Sequence, residues 1–206
     1  MPLSSSGLRY AITIQVDPAD HPPGTRFLAY TPAQMPSVVD TMAREAAPLL
    51  AGQDKVAIIG VLRRGAPLAD MLAQSLVRQF KLTEPLRLDL KVKRYADDLK
   101  LLHPETKLTE SAGQAELDLQ GYTLLVVDDV LYTGSSLLRV IEWLNAKSPR
   151  AIYAAVLADR HVTQLPIKAD VVGVHLQVAP GDVVECHVPP YEPLFQIELL
   201  RLDDAV

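Results

Sequence analysis

The sequence predicts an α/β fold, an open parallel sheet flanked by helices with a small hood from the terminal segments, and three observations carry that expectation. Continuous apolar runs at residues 56–61, 123–127 and 151–158 are bounded by turn signals and read as strands buried on both faces. Helical spacing follows two of them: Leu68, Met71, Leu72, Leu76 and Phe80 after the first, and Leu137, Leu138, Ile141 and Leu144 after the second. With 206 residues, 49% hydrophobic and 22% charged, the chain suits one main domain with a sizeable core.

Taken in order, residues 1–7 read as a loose terminus, residues 9–16 alternate as a strand, and residues 17–24 are a Pro- and Asp-rich loop. Thr31 followed by Pro32 predicts a helix start, with the hydroxyl as cap and proline at the first helical position. Met35, Val38, Val39, Met42, Ala46, Leu49 and Leu50 then mark one apolar face, which is core rather than ligand contact, and Gly52 marks the stop. Residues 86–92 alternate strictly, as a half-exposed strand at an edge does. The polar connection at residues 94–120 is too long for an ordinary linker and predicts a functional lid or a hairpin. Strands follow at residues 183–188 and 194–199, on either side of a Pro189-Pro190-Tyr191 turn.

The chemistry concentrates at residues 123–136. A buried strand ends in two carboxylates, Asp128 and Asp129; then Leu131, Tyr132, Thr133 and Gly134 lead into a helix opened by Ser135 and Ser136. A turn feeding a helix start presents unpaired N–H groups and the positive end of the helix dipole to an anion such as phosphate. The acidic pair would repel that phosphate unless it faced another part of the same ligand, and a ribose diol meets the need because ionised carboxylates are acceptors only. The loop has no lysine, so it is not the nucleoside-triphosphate loop, and no G-x-G-x-x-G follows a strand. Leu62, Arg63, Arg64 and Gly65 form a second strand-to-helix turn, whose guanidinium forks match phosphate oxygens. Asp159, Arg160 and His161 end another strand and should line the same crevice, beyond the carboxyl ends of a parallel sheet.

A formal net charge of −5 argues against wholesale binding to nucleic acid or an anionic membrane. The single Cys186 excludes an intramolecular disulfide and is expected in the core or a strand; with no secretory signal or long apolar span, a reducing cytoplasm is the expected location. The five histidines show no close ligand spacing, so no structural zinc site is expected and any metal should arrive with substrate.

Residues 126–136 resemble the phosphoribosyl pyrophosphate (PRPP) motif of the type I phosphoribosyltransferases. Residues 127–134 are especially similar to the bifunctional pyrimidine operon regulator and uracil phosphoribosyltransferase family, and the resemblance runs through roughly residues 56–174. It implies that Asp128 and Asp129 hold the ribose hydroxyls and serve Mg²⁺ mainly through substrate and water, while the loop from Leu131 to Ser136 holds the 5′-phosphate. It also implies a pyrophosphate loop at Leu62, Arg63, Arg64 and Gly65, with a cis peptide between Leu62 and Arg63 and with Arg64 on the pyrophosphate. The regulator family has Thr where this chain has Arg63. Tyr95 matches an aromatic near the base of a flexible catalytic loop, which makes Asp128, Asp129 and Tyr95 the catalytic candidates. Asp159 and Arg160 fall on the nucleobase side, followed by a Leu165-Pro166-Ile167 stretch that the regulators share. Purine enzymes usually carry Lys at the place of Asp159, so a pyrimidine or an atypical base is favoured.

The implied reaction is uracil plus PRPP giving UMP and diphosphate, with Mg²⁺, in a homo-oligomer of two or more chains. The alternatives are an RNA-binding pyrimidine-operon regulator that senses nucleotides and a hypoxanthine-type purine enzyme. The acidic balance, and Ser135 where the regulators usually have Arg, stand against RNA; no membrane partner is expected. The expected division is an N-terminal extension (residues 1–30) placed with the hood or at the sheet edge, a core (31–177) and C-terminal hood strands (178–206).

Overall fold

The computed structural model describes residues 23–94, 106–109, 118–179 and 181–202. Along them run β1 (Gly24–Tyr30), α1 (Met35–Leu50), β2 (Val56–Leu62), α2 (Gly65–Phe80), β3 (Leu86–Arg94), β4 (Thr106–Thr109), β5 (Thr123–Leu131), α3 (Ser135–Asn145), β6 (Ala151–Asp159), β7 (Val171–His175), β8 (Asp182–His187) and β9 (Gln196–Leu202).

The main sheet has the order β4-β3-β2-β5-β6-β7. Its strands from β3 to β7 are parallel, and β4 runs antiparallel at one end. From β2 the chain steps outward to β3, and from β5 it steps the other way to β6 and β7. The reversal makes the gap between β2 and β5 the topological switch point, where open α/β sheets bind ligands beyond their carboxyl ends.

The central strand β5 is covered on both faces, as its continuous apolar run requires. Leu125 and Val127 pack with α1 and α2 on one side, Leu124 and Val126 with α3 on the other, and all four side chains are fully buried. Complete burial of such side chains stabilises by about 1.5–3 kcal/mol each, which fixes the strand that carries the acidic pair.

The terminal segments build a separate antiparallel sheet, β1-β9-β8. Val184, Cys186 and Ile197 of this hood join the same apolar cluster as α1 and α2, so the hood is seated on the main core. Cys186 is buried in β8, as expected.

Three local expectations change. Helix α1 begins at Met35 rather than after Thr31, because the Gln34 side chain accepts from both the N–H and the hydroxyl of Thr31 and closes a turn there; Pro36 then occupies the first helical turn. Strand β3 is not the edge of its sheet: β4 pairs with it from Lys91↔Thr109 to Arg94↔Thr106, folding part of the long connection into a hairpin. Gly24, assigned to a loop, opens β1 and pairs with Leu202. The strand expected at residues 9–16, Tyr95 and most of the 94–120 connection lie outside the described residues.

Candidate active site

The loops after β2 and β5 meet at the switch point because two glycines allow it. Gly65 opens α2 hard against the end of β5: a Cβ there would lie 2.4 Å from the Val127 carbonyl oxygen and 3.1 Å from the Asp128 Cα. Gly134 precedes α3 with φ +88°, the left-handed region that favours glycine. Both helices start without a side-chain cap, which leaves first-turn N–H groups available to a ligand anion. The peptide between Leu62 and Arg63 is cis, as expected.

Asp128 is 7% exposed, and its Oδ1 accepts the Asp129 N–H at 2.9 Å. Asp129 repeats the arrangement one residue on, accepting the Val130 N–H at 3.0 Å. Each carboxylate is thereby oriented by the next peptide group. Behind them the Cys186 thiol approaches the Asp129 carbonyl oxygen at 3.7 Å. Burial first, and then the negative charge of Asp129, push that thiol well above its ordinary range.

Asp128, Leu131, Thr133, Gly134, Ser135 and Ser136 line a cavity of about 140 Å³. Pockets for drug-sized ligands occupy about 300–1,000 Å³, so this one suits a single anionic group. Thr133 Oγ1 donates to Ser135 Oγ at 3.1 Å, and the Thr133 carbonyl accepts the Gln164 N–H at 3.1 Å. Ile167 lies behind Gly134, 3.4 Å from where a Cβ would stand, so the Leu165-Pro166-Ile167 stretch buttresses the loop. A larger groove, about 690 Å³, is lined by α1, α2, Arg87 and Phe195 and shares no residue with these loops.

The two arginines of the β2 loop reach the hood. Arg64 donates from Nε to Glu192 Oε1 at 3.0 Å and from Nη2 to the same oxygen, while Glu192 Oε2 accepts the Val188 N–H at 2.9 Å. The Arg63 guanidinium lies 5.7 Å from the Tyr191 ring centroid. Sequence reading missed Tyr191 and Glu192 as site residues. Their only signal is position, directly after the double proline, whose Pro189–Pro190 bond is cis.

On the other flank, Arg160 is 6% exposed and sits under the half-exposed Tyr132 ring, 4.5 Å from its centroid, with Nη2 donating to the Asp182 carbonyl at 2.6 Å. It therefore braces the anion loop against β8. Asp159 stands at the same level of the sheet as Leu131 and His175. Strand register completes two groups that the sequence shows only in part, as Asp159 two residues before His161 and Glu185 two before His187: His175 joins the first and Glu198 the second.

With this geometry in view, comparison with known proteins is decisive. Residues 33–192 match the phosphoribosyl transferase domain. The chain is a type I phosphoribosyltransferase. Among relatives of this phosphoribosyltransferase, the Bifunctional protein PyrR of Deinococcus radiodurans is 36% identical over 154 residues, which span 74% of this chain and 82% of the relative. The same-named proteins of Thermus thermophilus and of Actinobacillus pleuropneumoniae serotype 5b are 33% and 32% identical, covering 75% and 73% of this chain and 84% and 83% of theirs. A hypoxanthine phosphoribosyltransferase structure from Trypanosoma cruzi superposes with a TM-score of 0.67 at 18% identity, over 85% of this chain and 97% of that one, a likeness of fold. The phosphoribosyltransferase moves the phosphoribosyl group of PRPP to a nucleobase. None of its described helices is long and apolar enough to cross a membrane.

Proposed function

We propose that the nucleobase is uracil and the product UMP, formed in the crevice between β2 and β5. The observation that carries the reading is the acidic pair at the end of β5, held directly beside the uncapped start of α3. The 5′-phosphate docks on the α3 N–H groups and the hydroxyls of Thr133, Ser135 and Ser136, where the helix dipole favours negative charge. Asp128 and Asp129 accept the ribose hydroxyls and put negative charge beside a sugar ring that becomes cation-like as its bond to pyrophosphate breaks. The departing diphosphate is held by residues 62–65, with the Arg63 and Arg64 guanidiniums and the first turn of α2 as donors. The bond from Arg64 to Glu192 links this loop to the hood. Tyr95, near the base of the 94–120 connection, takes part in closing the crevice against water, which would otherwise hydrolyse the donor.

The donor set at the end of β5, two carboxylates oriented by N–H groups, suits a hard divalent ion such as Mg²⁺. When bound with substrate, Mg²⁺ neutralises charge on the leaving diphosphate. Uracil is favoured over a purine by Asp159, an acceptor where purine enzymes usually place a lysine, and by the similarity to proteins named PyrR. We take residues 31–177 as the catalytic core and residues 178–206, together with β1, as the hood. The reading includes a cytoplasmic protein that assembles as a dimer or larger. A screen of free bases with PRPP and Mg²⁺, followed by pyrophosphate release, tests the choice of base. Turnover with uracil and not hypoxanthine is expected, and the converse would replace uracil by a purine.

A second reading, regulation through RNA, is favoured by the word bifunctional in the relatives' name. It is disfavoured by the net charge of −5 and by Ser135, which offers no cation beside the anion loop.

A further inference from the structure

We propose that Asp159, His161 and His175 form a binding site for a late first-row divalent cation of the Zn²⁺, Co²⁺ or Ni²⁺ kind, separate from the ion that accompanies PRPP. Strand pairing builds the group. Asp159 and His175 are register partners at the carboxyl ends of β6 and β7, and His161 follows β6 in a left-handed conformation, φ +56°, that turns its ring back toward them. One donor atom from each of the three side chains lies within 4.8 Å of the other two.

His175 Nδ1 and His161 Nε2 face one another at 2.9 Å, with the ring planes 17° apart, and in the metal-free chain they share one N–H···N hydrogen bond whose proton a cation would displace. Two nitrogens each about 2.0–2.1 Å from one metal, at a right angle, stand about 2.9 Å apart, and opening to a tetrahedral angle takes them to about 3.4 Å. The pair is therefore near the spacing that coordination demands. Asp159 is fixed through Oδ1, which accepts the His161 N–H at 2.8 Å, and its Oδ2 lies 3.7 Å from His161 Nδ1, the ring nitrogen opposite the one that faces His175, so a shared ion requires the His161 ring to turn. Among the described residues no lysine or arginine forms an ion pair with the Asp159 carboxylate.

The other cluster, Glu185, His187 and Glu198, lacks that last property. Arg26 donates from Nε and Nη2 to the two oxygens of Glu185 at 2.7 and 3.0 Å, so the cation there is already part of the chain. The Glu185 bond also pushes the Arg26 guanidinium further up, which keeps it charged.

Two imidazoles and one carboxylate select zinc, cobalt or nickel rather than magnesium, which prefers oxygen ligands. The site shares Asp159 with the proposed uracil contact, while His161 and His175 belong to the cation site alone.

The test is titration of the purified, chelator-stripped full chain with Co²⁺ and, by competition, Zn²⁺, in a large excess of Mg²⁺. One ion per chain should bind, with a visible Co²⁺ spectrum showing nitrogen ligation. The double variant His161→Ala, His175→Ala should bind at least about 100-fold more weakly, beyond the ~10–100-fold that loss of a supporting group costs. His161 is 47% exposed, so its replacement does not hollow the core, and circular dichroism of the double variant confirms its fold. His187→Gln should leave the affinity unchanged. Binding that Mg²⁺ abolishes, binding that survives the double substitution, or binding lost in His187→Gln would each overturn the proposal.

Discussion

Arg64 at the start of α2 and Glu192 in the turn after β8 form one ion pair that ties the loop after β2 to the hood. Both guanidinium donors converge on Glu192 Oε1, and the second carboxylate oxygen holds the Val188 N–H. Glu192→Ala removes this ion pair from a partly buried cation. The expected loss is about 2–3 kcal/mol, less than the ~3–5 kcal/mol of a fully buried pair, because the Arg64 side chain keeps 23% exposure. Urea unfolding reads the loss, and KM for PRPP should rise more than KM for the base. A change in unfolding free energy below about 0.5 kcal/mol, the range of ordinary surface substitutions, would contradict the anchor.

Gly65→Ala should cost about 1–3 kcal/mol, the usual range for overpacking a filled site. Its Cβ would stand 2.4 Å from the Val127 carbonyl, which is backbone and cannot rotate away. Turnover should fall with stability, since the same displacement moves α2 away from Asp128. A thermal melt matching wild type would show that the loops do not approach as closely as described.

Cys186 supplies a pH dependence whose sign follows from burial. Its thiol is raised in the folded chain, so at alkaline pH the unfolded chain releases a proton that the folded chain retains. The folded state then binds more protons than the unfolded one, and stability falls as pH rises through the ordinary thiol range, about 8.5. Below that range the group contributes no slope. Urea unfolding across this window should show the decline, and Cys186→Ala should flatten it. Rapid thiol labelling of the native enzyme at neutral pH would contradict the burial behind the argument.

RNA affinity is expected to be weak. Phosphate contacts need several cations on one face, and binding through them falls steeply with salt. Arg63 and Arg64 are committed to the diphosphate in the proposed reaction, Arg160 is buried under Tyr132, and Lys147 lies over Trp143. Filter binding to a pyrimidine-operon leader transcript should give only salt-sensitive association. Sequence-selective nanomolar binding at physiological salt would restore the regulator reading.

What the sequence made legible is local chemistry. Asp128, Asp129 and the loop to Ser136 are contiguous, and each residue type there has its own reason, so the strand, acidic pair, anion loop and helix could be read together. The alternation of buried runs with helical periodicity likewise fixes the parallel sheet. The rest depends on distance along the chain. Strand β1 pairs with β9, Glu192 meets Arg64 across 128 positions, and His161 meets His175 only through the register of β6 and β7. The start of α1 turned on the Gln34 side chain, which accepts from the Thr31 N–H and hydroxyl and so takes up the hydroxyl that would have capped a helix there.

The central claim is that Asp128 and Asp129 face the sugar of PRPP while uracil attacks it, and pyrophosphate release by the purified chain with PRPP, uracil and Mg²⁺ tests it most directly. Wild type should release one pyrophosphate per UMP, and Asp129→Asn, which keeps the Val130 N–H bond within reach of its amide oxygen, should remain folded with turnover reduced about 10²–10³-fold, the usual loss when a transition-state charge partner goes. Unchanged turnover in Asp129→Asn would contradict the account of the site, and release driven by another base in place of uracil would contradict the account of the substrate.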